Sequence, residues 1–157
     1  MAELSVGDKA PDFDLPTDGA GRVSLSELKG KAVVLYFYPK DDTPGCTSQA
    51  QGFSEMRNAF EETGATVLGV SKDTPSSHDK FKGKHHLTVR LASDETGEML
   101  ERYGVWVEKN MYGRKYMGVE RATFLIGADA TIKQIWRKVK VPGHVDTVLK
   151  AAKALRA

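Results

Sequence analysis

An α/β fold, with a central mixed β-sheet flanked by helices, is what this sequence predicts. Three short apolar runs carry the prediction: KAVVLYFY at Lys31–Tyr38, TVLGVS at Thr66–Ser71 and ATFLI at Ala122–Ile126. Each is continuous and rich in β-branched or aromatic residues, the pattern of a strand buried on both faces. The stretches between them place apolar residues every three or four positions, the period of a helix with one buried side. No repeat, low-complexity tract or linker interrupts the 157 residues, so a single domain over 1–157 is expected.

The elements follow in order. Lys31–Tyr38 is the first buried strand. Ser48–Thr63 reads as a helix, with Ala50, Phe53, Met56, Ala59 and Phe60 on one side and Gly64 as its stop. Thr66–Ser71 is the next strand, and Pro75–His86 a helix capped by Asp73 or Thr74, with Pro75 at its first position where the missing N–H does no harm. A short strand and a short helix, Thr96–Tyr103, come next, and Gly104 ends the latter. Ala122–Ile126 and Thr131–Arg137 are joined by the short Gly- and Asp-containing link 127–130, which makes them a hairpin. The final helix, Gly143–Arg156, aligns Val145, Val148, Leu149, Ala152 and Leu155. A hairpin in place of a last crossover makes the later strands antiparallel, as in a thioredoxin-like fold.

Composition narrows the function. Apolar residues make up 40% and charged residues 28%, ordinary values for a globular chain. A single cysteine excludes an internal disulfide framework and a cysteine-rich zinc site. The net charge is only +2, and Lys133, Arg137, Lys138 and Lys140 alternate with apolar positions as a solvated strand face does, so no nucleic-acid partner is expected. The longest apolar run is far too short for a membrane span, and the amino terminus lacks the pattern of a secretory signal. The expected setting is the reducing cytoplasm, with no membrane partner. His78, His85, His86 and His144 do not share a spacing that holds a metal; the reading is solvated helix positions, with His144 in a turn. Tyr103, Trp106, Tyr112 and Tyr116 read as core or as cover for a site.

Cys46 stands apart, because it follows the turn residues of PKDDTPG and opens a helical run. A lone cysteine can be packing, a metal ligand or a nucleophile. With Thr43 as N-cap and Pro44 at the first helical position, Cys46 falls at the third, among unpaired N–H groups and the positive end of the helix dipole. That environment favours the thiolate, the reactive form. Asp41 and Asp42 would oppose it if they turned inward; they are expected to face water, with Lys40 nearby.

Pro39, Thr43 and Cys46 form P-x-x-x-T-x-x-C, which resembles the active-site motif of the peroxiredoxins. The wider string FYPKDDTPGCT is similar to the bacterioferritin-comigratory-protein branch, also called the PrxQ group, and the resemblance runs from GDKAPDFDLP to RATFLIGADATIKQIWRKVKVPGHVDTVL. It implies a thioredoxin-like fold and thiol-dependent reduction of hydrogen peroxide or organic hydroperoxides without a cofactor. It also assigns roles. Cys46 is matched to the attacking cysteine that becomes a sulfenic acid. Thr43 is matched to a hydroxyl that hydrogen-bonds the peroxide, and Arg121 to a cation that supports the thiolate and the developing charge. Pro39 would shield the site, and Gln49, one turn beyond Cys46, would orient Arg121.

The sequence departs from the branch in one respect. Many members carry a resolving cysteine five residues after the first, or in the following helix; here the former position is Gln51 and Pro75–His86 has none. Regeneration then falls to an external thiol: thioredoxin, glutaredoxin or glutathione. A monomer is expected. The competing reading is a redox sensor or holdase-like protein switched by oxidation of Cys46.

Overall fold

The computed structural model describes residues 3–156. A five-stranded sheet organises them. Its strands are β3 (Ala32–Phe37), β4 (Ala65–Ser71), β5 (Arg90–Ser93), β8 (Ala122–Ile126) and β9 (Ile132–Trp136), in the spatial order β5-β4-β3-β8-β9. β3, β4 and β5 run parallel, whereas β8 pairs antiparallel with both β3 and β9. The sheet is therefore mixed, as expected.

Along β3 the side chains alternate between two cores. Val33, Leu35 and Phe37 join Phe124, Leu100 and Tyr103 on one face, while Val34 and Tyr36 join Phe53, Phe60, Leu125 and Val148 on the other. The first face is covered by the short helices α1 (Leu25–Leu28) and α5 (Glu98–Arg102). The second lies under α2 (Pro44–Glu55), α3 (Arg57–Glu62), α4 (Pro75–His85) and α6 (His144–Arg156). Thr74 caps α4 by accepting from the Ser77 N–H at 3.1 Å, and Pro75 occupies its first position.

Two small sheets lie outside the main one, and the sequence pattern did not indicate them. β1 (Asp14–Pro16) pairs with β2 (Arg22–Ser24), and β6 (Trp106–Met111) pairs with β7 (Arg114–Val119). The helix starts at Pro44 after Thr43, as the cap signals predicted, but the run expected through Thr63 is broken at Met56, whose ψ of 7° leaves the helical range. Gly52 and Ser54, both weak helix formers, occupy the last turn before the break.

Candidate active site

The site lies where β3 ends and α2 begins, at the carboxyl edge of the parallel strands, where α/β sheets collect their ligands. The register opposes Phe37 to Ala122, so Arg121, one residue before β8, stands beside the exit of β3. The backbone carbonyl of Arg121 accepts from the Val139 N–H at 2.9 Å, which fixes its start.

Three side chains from α2 and this strand entrance meet. The Arg121 Nη2 donates towards Cys46 Sγ at 3.4 Å, and its Nη1 donates to Gln49 Oε1 at 2.6 Å. One guanidinium fork thus spans a sulfur and an amide that lie one helical turn apart. A planar cation with several fixed N–H groups can do this; an ammonium cannot. Gly45 makes room for it, because a Cβ there would lie 3.1 Å from the Arg121 Nη2. Cys46 and Gln49 are both buried, at 1% and 0% exposure, so the contact sits in a weakly screened environment.

Thr43 and Pro39, on the turn between β3 and α2, are half-buried. Thr43 takes the N-cap position with extended backbone, but its side chain does not cap the helix. The hydroxyl instead donates to the Lys40 carbonyl at 2.9 Å, which tightens the turn before α2 and leaves the oxygen lone pairs to accept from another donor. The first intrahelical bond runs from the Thr47 N–H to the Thr43 carbonyl at 2.8 Å, so the Gly45 and Cys46 N–H groups lack an intrahelical acceptor.

The expectation that Asp41 and Asp42 both face water is corrected. Asp41 is 7% exposed and bonded to Tyr38 Oη at 2.6 Å, Ser77 Oγ at 2.8 Å and His78 Nδ1 at 2.7 Å. His78, read as a solvated helix position, has no exposed surface; it shares a helical face with Phe81, a spacing of three that signals burial. Asp42 does reach solvent, paired with Lys84 and His85. His144 is the first residue of α6 rather than a turn residue, buried against Thr123 Oγ1 at 2.8 Å from its Nε2. Burial, with the Arg121 charge adding to it, lowers its pKa to about 4.

Sequence reasoning passed over two further residues. Tyr36 points from β3 into the core beneath α2, stacked on Phe53 at 4.6 Å, and its hydroxyl has no partner among the described residues. Burial raises its pKa far above the ordinary value, the Cys46 and Asp41 charges add to this, and Arg121 opposes it. Lys109 of β6 feels the same centre: burial and Arg121 lower its pKa, while Glu120 and Cys46 oppose the shift. Tyr36 lies on the strand that leads into the motif, whereas Lys109 is far from it in sequence and only the folded chain brings it near. Of the aromatic group, Tyr103 is core, whereas Tyr112 is fully exposed at the tip of the β6–β7 hairpin.

Residues 6–135 match the model of the AhpC/TSA family. The putative peroxiredoxin bcp of Coxiella burnetii is 51% identical over 146 residues, covering 93% of this chain and 97% of the relative. The chain belongs to the AhpC/TSA family, in its Bcp/PrxQ peroxiredoxin branch. Peroxiredoxin Bcp of Bacillus subtilis is 45% identical over 150 residues, covering 96% of each chain. A Xylella fastidiosa PrxQ cysteine-to-serine variant superposes with a TM-score of 0.94 at 39% identity over the whole of both chains. The Xanthomonas campestris bacterioferritin comigratory protein, solved in trapped intermediate and ligand complexes to explain its alkyl peroxide reduction activity, gives 0.88 at 41% identity over 92% of each. These neighbours have the thioredoxin-like fold expected from the strand pattern. Membership of this peroxiredoxin branch implies a peroxide substrate and a thiol reductant. Among the described residues no helix is long and apolar enough to cross a membrane.

Proposed function

We propose that the protein is a thiol peroxidase in which Cys46 reduces hydrogen peroxide or an organic hydroperoxide and is regenerated by an external thiol. The observation that carries this reading is the Arg121 fork, which joins Cys46 Sγ to Gln49 in a buried site at the first turn of α2. The Cys46 thiolate attacks the terminal peroxide oxygen. The S–O bond forms as the O–O bond breaks, and the leaving oxygen departs as water or an alcohol after taking a proton. Arg121 and the Cys46 N–H are placed to stabilise the charge that develops on both oxygens. In this reading Thr43 Oγ1, its own hydrogen held by the Lys40 carbonyl, accepts from the peroxide O–H, while Pro39 shields the centre and Gln49 holds the Arg121 fork in register.

Cys46 is the only cysteine of the chain, so the sulfenic acid has no internal thiol to condense with. An external thiol attacks it, giving a mixed disulfide and water; a second thiol then releases reduced Cys46 and leaves as the disulfide. Glutathione, glutaredoxin and thioredoxin can each supply these two electrons. Turnover of hydrogen peroxide, measured with each reductant in turn, tests the reading: sustained consumption that disappears in Cys46→Ser supports it. A single oxidation of Cys46, trapped by dimedone, with no turnover under any reductant would overturn it in favour of a redox switch.

A further inference from the structure

The turn that delivers Cys46 to its site is fastened to α4 from two sides. Asp41 reaches inward to Ser77 Oγ at 2.8 Å and His78 Nδ1 at 2.7 Å, and Asp42 reaches outward to Lys84 Nζ at 2.8 Å and His85 Nε2 at 2.7 Å. The Asp41 backbone N–H donates to Asp73 Oδ2 at 2.8 Å, and Asp73 in turn accepts from Ser71 Oγ at 2.7 Å. Asp42 itself holds a left-handed φ of +62°, a turn conformation that aspartate tolerates better than most side chains. Thr43 and the first turn of α2 follow directly.

The ring of His78 lies between two acceptors. Its Nε2 is 3.0 Å from the Ala92 carbonyl, which can only accept, so that nitrogen carries a hydrogen. Its Nδ1 faces Asp41 Oδ2, and the Asp41 oxygens also accept from Tyr38 Oη at 2.6 Å and Ser77 Oγ at 2.8 Å. One hydrogen joins Nδ1 to Asp41 Oδ2, so the ring bridges Asp41 and the Ala92 carbonyl as a buried histidine–carboxylate pair. Such a pair is costly to break from one side, because it leaves buried polar groups without a hydrogen-bond partner.

We propose that Asp41 and His78 are positioning residues for the peroxidatic centre: the pair clamps the Cys46 turn to α4 and keeps the first turn of α2 wound, so that Cys46 and Arg121 stay in register. The proposal rests on the reading of Cys46 as the reacting thiol. It adds that the same clamp limits how often the first turn opens to admit the external thiol. Cys46 is 1% exposed, so a bulky reductant reaches it only when that turn opens.

Hydrogen exchange at the Thr47 amide, which bonds the Thr43 carbonyl, reports this opening, and the rate of Cys46 oxidation by hydrogen peroxide reports the register. In full-length His78→Gln, Thr47 exchange should rise about ten- to a hundredfold, the size expected when a buried group loses its hydrogen-bond partner, while β3 and β8 amides exchange as before. Cys46 oxidation should slow in the same variant. Ser77→Ala, which removes one Asp41 contact and keeps the ring, should shift both rates in the same directions by less. Unchanged Thr47 exchange in either variant that folds, or a rise shared by β3 and β8, overturns the clamp. If the unmodified protein is oxidised no faster than a free thiol, the peroxidase reading fails, and the exchange measurement still decides the clamp.

Discussion

Arg121 makes two contacts with one side chain, and that is the property to remove. Arg121→Lys keeps the positive charge but cannot reach Cys46 Sγ and Gln49 Oε1 together. Its oxidation by hydrogen peroxide, followed by stopped-flow fluorescence, should be about a hundredfold slower, the usual effect of losing one preorganised donor to developing charge. Tyr36 offers the converse case. Its buried hydroxyl has no partner among the described residues, so Tyr36→Phe should raise stability by about 1 kcal/mol, as read from urea denaturation, because no hydrogen bond is lost with the oxygen. The sequence makes Cys46, Thr43 and Gln49 legible as a group, since one turn of helix fixes their spacing. Arg121 enters only through resemblance to a longer motif, because 75 residues separate it from Cys46. The Asp41–His78 pair is hidden for the same reason, with a separation of 37 residues, although His78 and Phe81 share a helical stripe that marks burial.

At the scale of elements, helix packing is what holds α2 over the sheet. A Cβ on Gly52 would lie 2.9 Å from Val145 Cγ2, so α6 packs directly onto the α2 backbone there. Gly83, in the interior of α4, is the opposite case, since a Cβ there would meet nothing within 4 Å. The two glycines should answer the same substitution with opposite sign. Gly52→Ala overpacks the contact and should cost about 1–3 kcal/mol. Gly83→Ala gains helix propensity and should add about 0.5–1 kcal/mol, both read as shifts in thermal midpoint. The central strands could be read from sequence because burial on both faces writes continuous apolar runs. The β6–β7 hairpin left no such trace. Its two strands pair only with each other and are largely solvent-facing, so neither face had to be apolar, and its Tyr112–Gly113 turn is held by positive φ angles of 53° and 77° rather than by an Asn-Gly signal.

For the whole molecule, the strongest pH lever outside the proposed chemistry is His144, which closes the core between α6 and the sheet. It faces Thr123 Oγ1, the rings of Phe53 and Trp136, and the Arg121 charge, a setting that disfavours an imidazolium. Its pKa falls from 6.5 to about 4, first through burial and then through Arg121. The unfolded chain therefore binds a proton that the folded chain refuses between these values, and folding stability must fall as pH drops through that window. Above about pH 6.5 both states are neutral at His144 and nothing is lost. Between pH 7 and pH 5 the loss from this residue should be about 1–2 kcal/mol. Replacing it by His144→Gln, which can still hydrogen-bond Thr123, removes the titration. Urea denaturation of the two proteins at pH 7 and pH 5 isolates the effect, since every other group titrates alike in both. The unmodified protein should lose more stability on acidification than His144→Gln; equal losses would place the acid sensitivity elsewhere and leave His144 a packing residue alone.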